Sequence, residues 1–374
     1  MLKKLSLAAL IAMGSMSVAS ATPLTEAIKG VDLNGMLRVR YYHEMPKDQN
    51  SYNRWRTNAI LIFSVPVSEE LKLVVRNSVQ TNVYTDDDTL NPNGTSSSAI
   101  DDSIANNLLF LKYSSNGVNA ILGKIPVKTS ITSADPATPG HGAGAVATYT
   151  VNKNLTVGAA YVDALKTGGD KLANDIYAGV AVFDAGVVKG NFWAYHITNY
   201  SKAIYTLSLS ANPVEGVSVQ ADYGHGKNDT DHFANVKSSS YFDVVASAKQ
   251  DAFCATLGYA YHNDGNSVIV TSADAPFGNV IPTANNYNIA GADYKVSSVF
   301  AKLGYNVDAK TSVFAAYQHQ NDKSTDNNDL NEYTVGGSYA YTKKMSFSAY
   351  YDYADFKVNT DDNGEFRFQA LYKF

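Results

Sequence analysis

The sequence predicts an all-β fold, a transmembrane antiparallel β-barrel of about 18 strands (16–18), with short periplasmic turns and long external loops. Three observations carry this. In the final ten residues, Phe366, Phe368, Ala370, Tyr372 and Phe374 share one face, while Glu365, Arg367, Gln369, Leu371 and Lys373 share the other. An apolar, aromatic outer face over a polar inner face is what lipid on one side and a lumen on the other demand. The opposite end reads as an export signal: Lys3 and Lys4, an apolar run from Leu5 to Met16, then Ala19-Ser20-Ala21 as a cleavage site. Between the ends, strand-like segments are joined by connections that alternate short and long.

Residues 1–21 are therefore expected to be a signal peptide and 22–374 a single outer-membrane barrel domain. Removing the signal leaves 28 basic and 35 acidic residues, a net charge of −7. No other segment is long and apolar enough for a spanning helix; the longest purely apolar runs are Ala59 to Phe63 and Leu108 to Leu111. Mean hydropathy just below zero suits a barrel in which only alternate residues meet lipid. Tyrosine, at 26 residues, fits a membrane interface, where an apolar ring and a polar tip are both useful. The single cysteine, Cys254, forbids an intramolecular disulfide and reads as a small filler.

Thr22 to Lys29 carries Pro23 ahead of helix formers and suits a short periplasmic helix. Strands follow. Leu37, Val39 and Tyr41 alternate with Arg38, Arg40 and Tyr42; Trp55 to Phe63 alternate with Arg54, Arg56 and Asn58; Leu73, Val75 and Val79 oppose Arg76, Ser78, Gln80 and Asn82. Fifteen more segments continue the pattern, from 106–113 to 365–374. Short turns such as Asn116-Gly117 and Asn152-Lys153-Asn154 sort to one side and long polar stretches to the other. An even strand number puts both termini in the periplasm, with Phe374 at the lower aromatic girdle, and closure removes the unpaired edges that lipid cannot satisfy.

All six arginines, Arg38, Arg40, Arg54, Arg56, Arg76 and Arg367, have lumen parity and lie on the first three strands and the last. Closure sets those strands side by side, so the six form one basic wall. Lumens are polar in any case, but the other fourteen strands carry no arginine. The chain has no G-x-S-x-G, H-E-x-x-H, C-x-x-C or P-loop, and its seven histidines sit mostly at strand ends or in loops, so no enzyme is expected. Negative charge disfavours nucleic acid. No cofactor or metal site is expected. Asp86-Asp87-Asp88 with Asp101-Asp102 could at most collect a divalent cation such as calcium loosely, and a solvated loop is the preferred reading. Asp322 to Asn328 has calcium-loop spacing but lacks its glycine and terminal glutamate, and the sequon at Asn93 is uninformative.

Thr22-Pro23-Leu24-Thr25-Glu26-Ala27-Ile28-Lys29, continuing through Val31-Asp32 and Gly35 to Leu37-Arg38 and Arg40-Tyr41, resembles the mature amino terminus of the Campylobacter-type major outer membrane porins. Gln369 to Phe374 resembles their carboxyl terminus, which in such barrels serves as the assembly signal, here Phe366, Phe368, Tyr372 and Phe374. The resemblance implies an 18-stranded homotrimer and a weakly cation-selective diffusion pore for ions and small hydrophilic solutes. Its implied partners are outer-membrane lipid, lipopolysaccharide and the barrel-assembly machinery. Porins commonly fold the third external loop inward, which here is residues 125–143, with Lys128, Asp135 and His141 as constriction candidates; Asp135, together with Asp222, would set an acidic edge opposite the arginines. The alternatives are a selective channel for anionic solutes and a barrel-anchored adhesin.

Overall fold

The computed structural model describes residues 30–47, 50–86, 100–167, 170–229, 236–265, 267–284, 289–324, 329–357 and 362–374. The export signal, the amino-terminal helix, the sequon and parts of both acid-rich loops lie outside them. From the amino terminus the strands are β1 (Asp32–Pro46), β2 (Tyr52–Pro66), β3 (Leu71–Asp86), β4 (Ile100–Ser115), β5 (Val118–Pro126), β6 (His141–Asn152) and β7 (Leu155–Thr167). Then come β8 (Asp170–Leu172), β9 (Ile176–Asp184), β10 (Val188–Ile197), β11 (Ser201–Val214), β12 (Val217–Asn228) and β13 (Ser239–Gln250). The last are β14 (Phe253–His262), β15 (Val296–Asn306), β16 (Thr311–Asp322), β17 (Leu330–Ala340), β18 (Met345–Phe356) and β19 (Asn363–Lys373).

The sheet is antiparallel throughout and closed, because β1 pairs with both β2 and β19. β8 is a three-residue spur paired only to the end of β7, and β7 continues to β9, so 18 strands form the wall. The expected strand number and grammar are those observed.

Alternation decides the two surfaces. Leu37, Trp55, Leu109, Leu111, Tyr161, Phe192, Tyr223, Leu257, Leu303, Val335 and Tyr372 point outward and are exposed. So large a continuous apolar exterior would be untenable in water and matches lipid. Tyrosines cluster along it, as in the Tyr161–Tyr177, Phe253–Tyr305 and Tyr317–Tyr333 pairs.

The seam closes at Phe374. Its N–H and C=O exchange hydrogen bonds with Gly35 at 3.2 and 3.1 Å. Gly35 is required there: a Cβ would lie 2.1 Å from the Ile60 carbonyl oxygen and 2.7 Å from the Phe374 ring.

Two long connections fold into the barrel. The β5–β6 loop (residues 127–140) turns inward as the sequence predicts. The described residues of the β14–β15 connection (263–265, 267–284 and 289–295) do the same and include a short 3₁₀ turn, Ile289–Gly291. Ile125, Val127 and Ile131 join Ile269, Phe277, Ile281 and Ile289 in one apolar core against Ile197, Ile204, Tyr195 and Tyr241 of the inner wall. Burial of these side chains explains the inward course, since an external loop would leave them in water.

Candidate functional site

Loop 127–140 crosses to the arginines. Arg38 Nη1 reaches Asp135 Oδ1 at 3.1 Å, and Arg76 Nη2 donates to the Pro136 carbonyl at 2.7 Å. Ala137 packs on Met36 and Ile60 of the wall. The loop thus docks on the basic wall directly, where the sequence suggests an acidic edge facing it across a gap.

The remaining arginines form a network over β19, β1, β2 and β3. Arg40 stands opposite Arg56 in register and donates to Gln369 Oε1 at 2.6 Å and to the Tyr42 hydroxyl at 3.2 Å. Arg56 donates to Asn82 Oδ1 at 3.0 Å, and Arg38 to Asn58 Oδ1 at 3.1 Å. The Tyr42 ring lies 4.2 Å from the Arg54 guanidinium and 5.7 Å from that of Arg367, which also covers Tyr350 at 4.3 Å. Neutral amides and rings between the guanidiniums spread like charges over a polar surface. Arg40 and Arg56 remain half-exposed to the lumen.

The loops supply the opposite sign. Burial works to raise the Asp135 pKa, but the Ala137 N–H and Arg38, with help from Arg40, outweigh it and hold the carboxyl below the usual range. Asp274, from the second loop, responds to the same groups. Burial and the nearby Asp135 carboxylate push it above the usual range against the pull of Arg40 and Arg38. Where the loops dock, a local field therefore runs from the arginines on β1 and β2 to Asp135 and Asp274.

Other predicted site residues fall elsewhere. Lys128 is exposed on the loop. His141 opens β6, is buried, and its Nδ1 lies 2.9 Å from the Pro139 carbonyl oxygen. Asp222 is not brought to Asp135; it sits on β12 directly opposite Asp243 of β13. Phe366, Phe368, Tyr372 and Phe374 line the seam, Phe368 stacking on Phe347 and Tyr372 packing at a tilt against Phe374.

Sequence reasoning missed two features. One is Asp274 with its loop, for which Val268-Ile269-Val270 and Pro276-Phe277 in an otherwise polar stretch were the available signal. The other is a carboxylate row nearer the outer mouth: Glu44 faces Glu365 across β1 and β19, Glu365 faces Asp352 across β19 and β18, and Glu332 lies beside it on β17. Donors hold it. Arg54 binds Glu44 at 3.1 Å, Tyr350 donates to Glu365, Thr334 to Asp352, and Thr283 and Gln318 donate to Glu332 at 2.7 and 2.8 Å. The lumen parity that singles out the arginines applies equally to these acids. Among the described residues no three metal-ligating side chains converge.

A closed 18-stranded cylinder with an apolar exterior and a charged lumen narrowed by inserted loops is a channel architecture. Residues 1–176 match the family model of the Campylobacter major outer membrane protein, and residues 202–360 match that of the Gram-negative porins. The chain belongs to the outer-membrane porins. This porin spans the outer membrane as a multi-pass barrel through which ions and small hydrophilic solutes diffuse passively. No curated protein sequence matches it. In structure it is similar to Pseudomonas aeruginosa OpdK, solved with vanillate, at 13% identity over 92% of this chain and 99% of that one, TM-score 0.72. Acinetobacter baumannii OccAB4 is similar at 13% identity over 92% and 98%, TM-score 0.71. A BenF-like porin from Pseudomonas fluorescens Pf-5 is similar at 15% identity, with the same coverages and TM-score. At such identities the likeness is one of fold.

Proposed function

We propose that this porin is a general diffusion channel with a weak preference for cations, assembled as a homotrimer and catalysing no reaction. The observation that carries the preference is the balance of lumen charge. Arg38 and Arg54 are committed to Asp135 and Glu44, and Arg76 to loop carbonyls, which leaves Arg40, Arg56 and Arg367 against the carboxyls of Glu332, Asp352, Glu365 and Asp274 in the same lumen. The field between Arg40 and the loop carboxylates orients dipolar solutes and resists apolar ones. The trimer, the contact with lipopolysaccharide and delivery by the barrel-assembly machinery are part of the same proposal, supported by the resemblance to the porin families.

Planar-bilayer recording tests this. Ohmic openings in groups of three, with a reversal potential displaced toward the cation in a KCl gradient, support it; a displacement toward chloride overturns the preference. A second reading, selective uptake of carboxylates, is favoured by the half-exposed Arg40 and Arg56 and by the vanillate bound to OpdK. Saturating block of KCl current by vanillate in this chain would favour that reading.

A further inference from the structure

Beneath the two inserted loops, on the periplasmic side, lies a cavity of about 470 Å³ between the loops and the lumen face of β10, β11 and β12. Its volume is in the range of small-solute sites. Phe277 and Ser130 form its roof, and Trp193, Asn191, Ser208 and Asp222 belong to its walls. No lysine or arginine lines it.

Asp222 is 3% exposed and Asp243, its register partner, 1%. Asp222 Oδ2 accepts from Gln220 Nε2 at 3.2 Å, and Asp243 Oδ2 from the Tyr241 hydroxyl at 2.8 Å. The Oδ1 atom of each carboxyl has no partner. Two buried carboxyls side by side, each with an unsatisfied oxygen and no ion pair, are costly to maintain as two charges, and either a shared proton or an added positive charge relieves them. Beside them Trp193, one of only two tryptophans in the chain, stacks on Tyr195 with ring centroids 5.6 Å apart and planes 4° from parallel. That stacking fixes an indole on the wall of a polar lumen, and its face attracts cations.

We infer that this cavity is a binding subsite for small hydroxylated solutes bearing a primary ammonium group, the chemical class of amino sugars. The ammonium pairs with the Asp222 carboxylate at the cavity wall, the apolar face of the solute lies on Trp193, and Asn191 and Ser208 hydrogen-bond its hydroxyls. An anionic solute is excluded, since the arginines stand on β19 and β1–β3 and the cavity's own charge is negative. The subsite extends the diffusion reading without depending on the sign of the bulk ion preference.

The test uses the full-length protein in detergent with the lipid-facing Trp55 changed to Phe, which leaves Trp193 as the only fluorophore of its kind. Glucosamine at neutral pH should change its emission saturably, with glucose and gluconate at least about tenfold weaker because they lack the charge-assisted contact. Asp222→Asn, checked for folding by heat-modifiable mobility, should weaken glucosamine by about tenfold or more. Equal responses to glucose and glucosamine, no saturable response, or unchanged affinity in Asp222→Asn would each overturn the subsite. If Asp222→Asn instead only raised thermal stability, the two carboxyls would be sharing a proton and the inference would fail. KCl conductance of the wild type, read separately, reports on the porin itself.

Discussion

Arg38 of the first strand and Asp135 of the inserted loop meet at 3.1 Å, with their side chains 4% and 20% exposed. The contact ties the constriction to the seam region of the barrel. Asp135 also caps the Ala137 N–H at 2.8 Å, so its carboxylate organises the loop tip as well as anchoring it.

Changing Asp135 to Asn should retain the cap and lose the ion pair, at a cost of about 1.5–3 kcal/mol in loop docking. Single-channel recordings should then become noisier. In a double-mutant cycle with Arg38→Gln, additive effects on thermal unfolding would remove the pairing as a source of stability.

Acidification should discharge the two loop carboxylates in sequence. Asp274, raised above the usual range, takes its proton first, and cation preference begins to fall there. Asp135 is depressed in the folded state, so its contribution to docking is complete above the unfolded carboxylate pKa and is lost only as pH falls through its lower folded value. Reversal potentials across a pH series should give two inflections, with Asp274→Asn deleting the upper one.

Neutralising Arg40 and Arg56 should strengthen cation preference. Each lumen charge acts on a passing ion by about 1 kcal/mol at contact distance in water, so the permeability ratio should change by at most roughly fivefold per arginine. A shift toward anions would contradict the assigned polarity.

Ser130 is a buried hub, its hydroxyl 2.8 Å from Tyr195 Oη and 2.6 Å from Thr206 Oγ1. Ser130→Ala removes a hydrogen-bond partner from each hydroxyl and should cost about 1–3 kcal/mol. Faster proteolysis within loop 127–140 in intact cells would report it.

Gly35→Val and deletion of Phe374 should both lower the yield of heat-modifiable barrel, because each disrupts the same pair of closing hydrogen bonds. Wild-type yield from either variant would separate seam closure from assembly.

Period-two patterning made the wall legible, since one register slip would turn every arginine into lipid. The same alternation marks all 18 wall strands and sets Arg367 beside β1, where it pairs in register with Tyr42. Loop courses were harder to read. The inward fold of 127–140 could be anticipated from its prolines and position, but that of the later loop depends on Ile269 and Phe277 finding partners on other strands and on the first loop, such as Tyr241 and Ile131. Asp222 illustrates the same limit: parity gave its face, and only the β12–β13 register gave its neighbour.

The two inserted loops are joined by main-chain hydrogen bonds, Thr271 N–H to Ile131 O and Ala134 N–H to Asp274 O at 2.9 Å, and Phe277 N–H to Ser130 O at 3.0 Å. One loop springs from β5 and β6, the other from β14 and β15, so their union is a strut across the cylinder. Lateral pressure that would flatten an unbraced tube into an oval is met by this brace. Bore is thereby set by backbone and polarity by side chains, which leaves the charge lining free to be exchanged without altering the width of the passage.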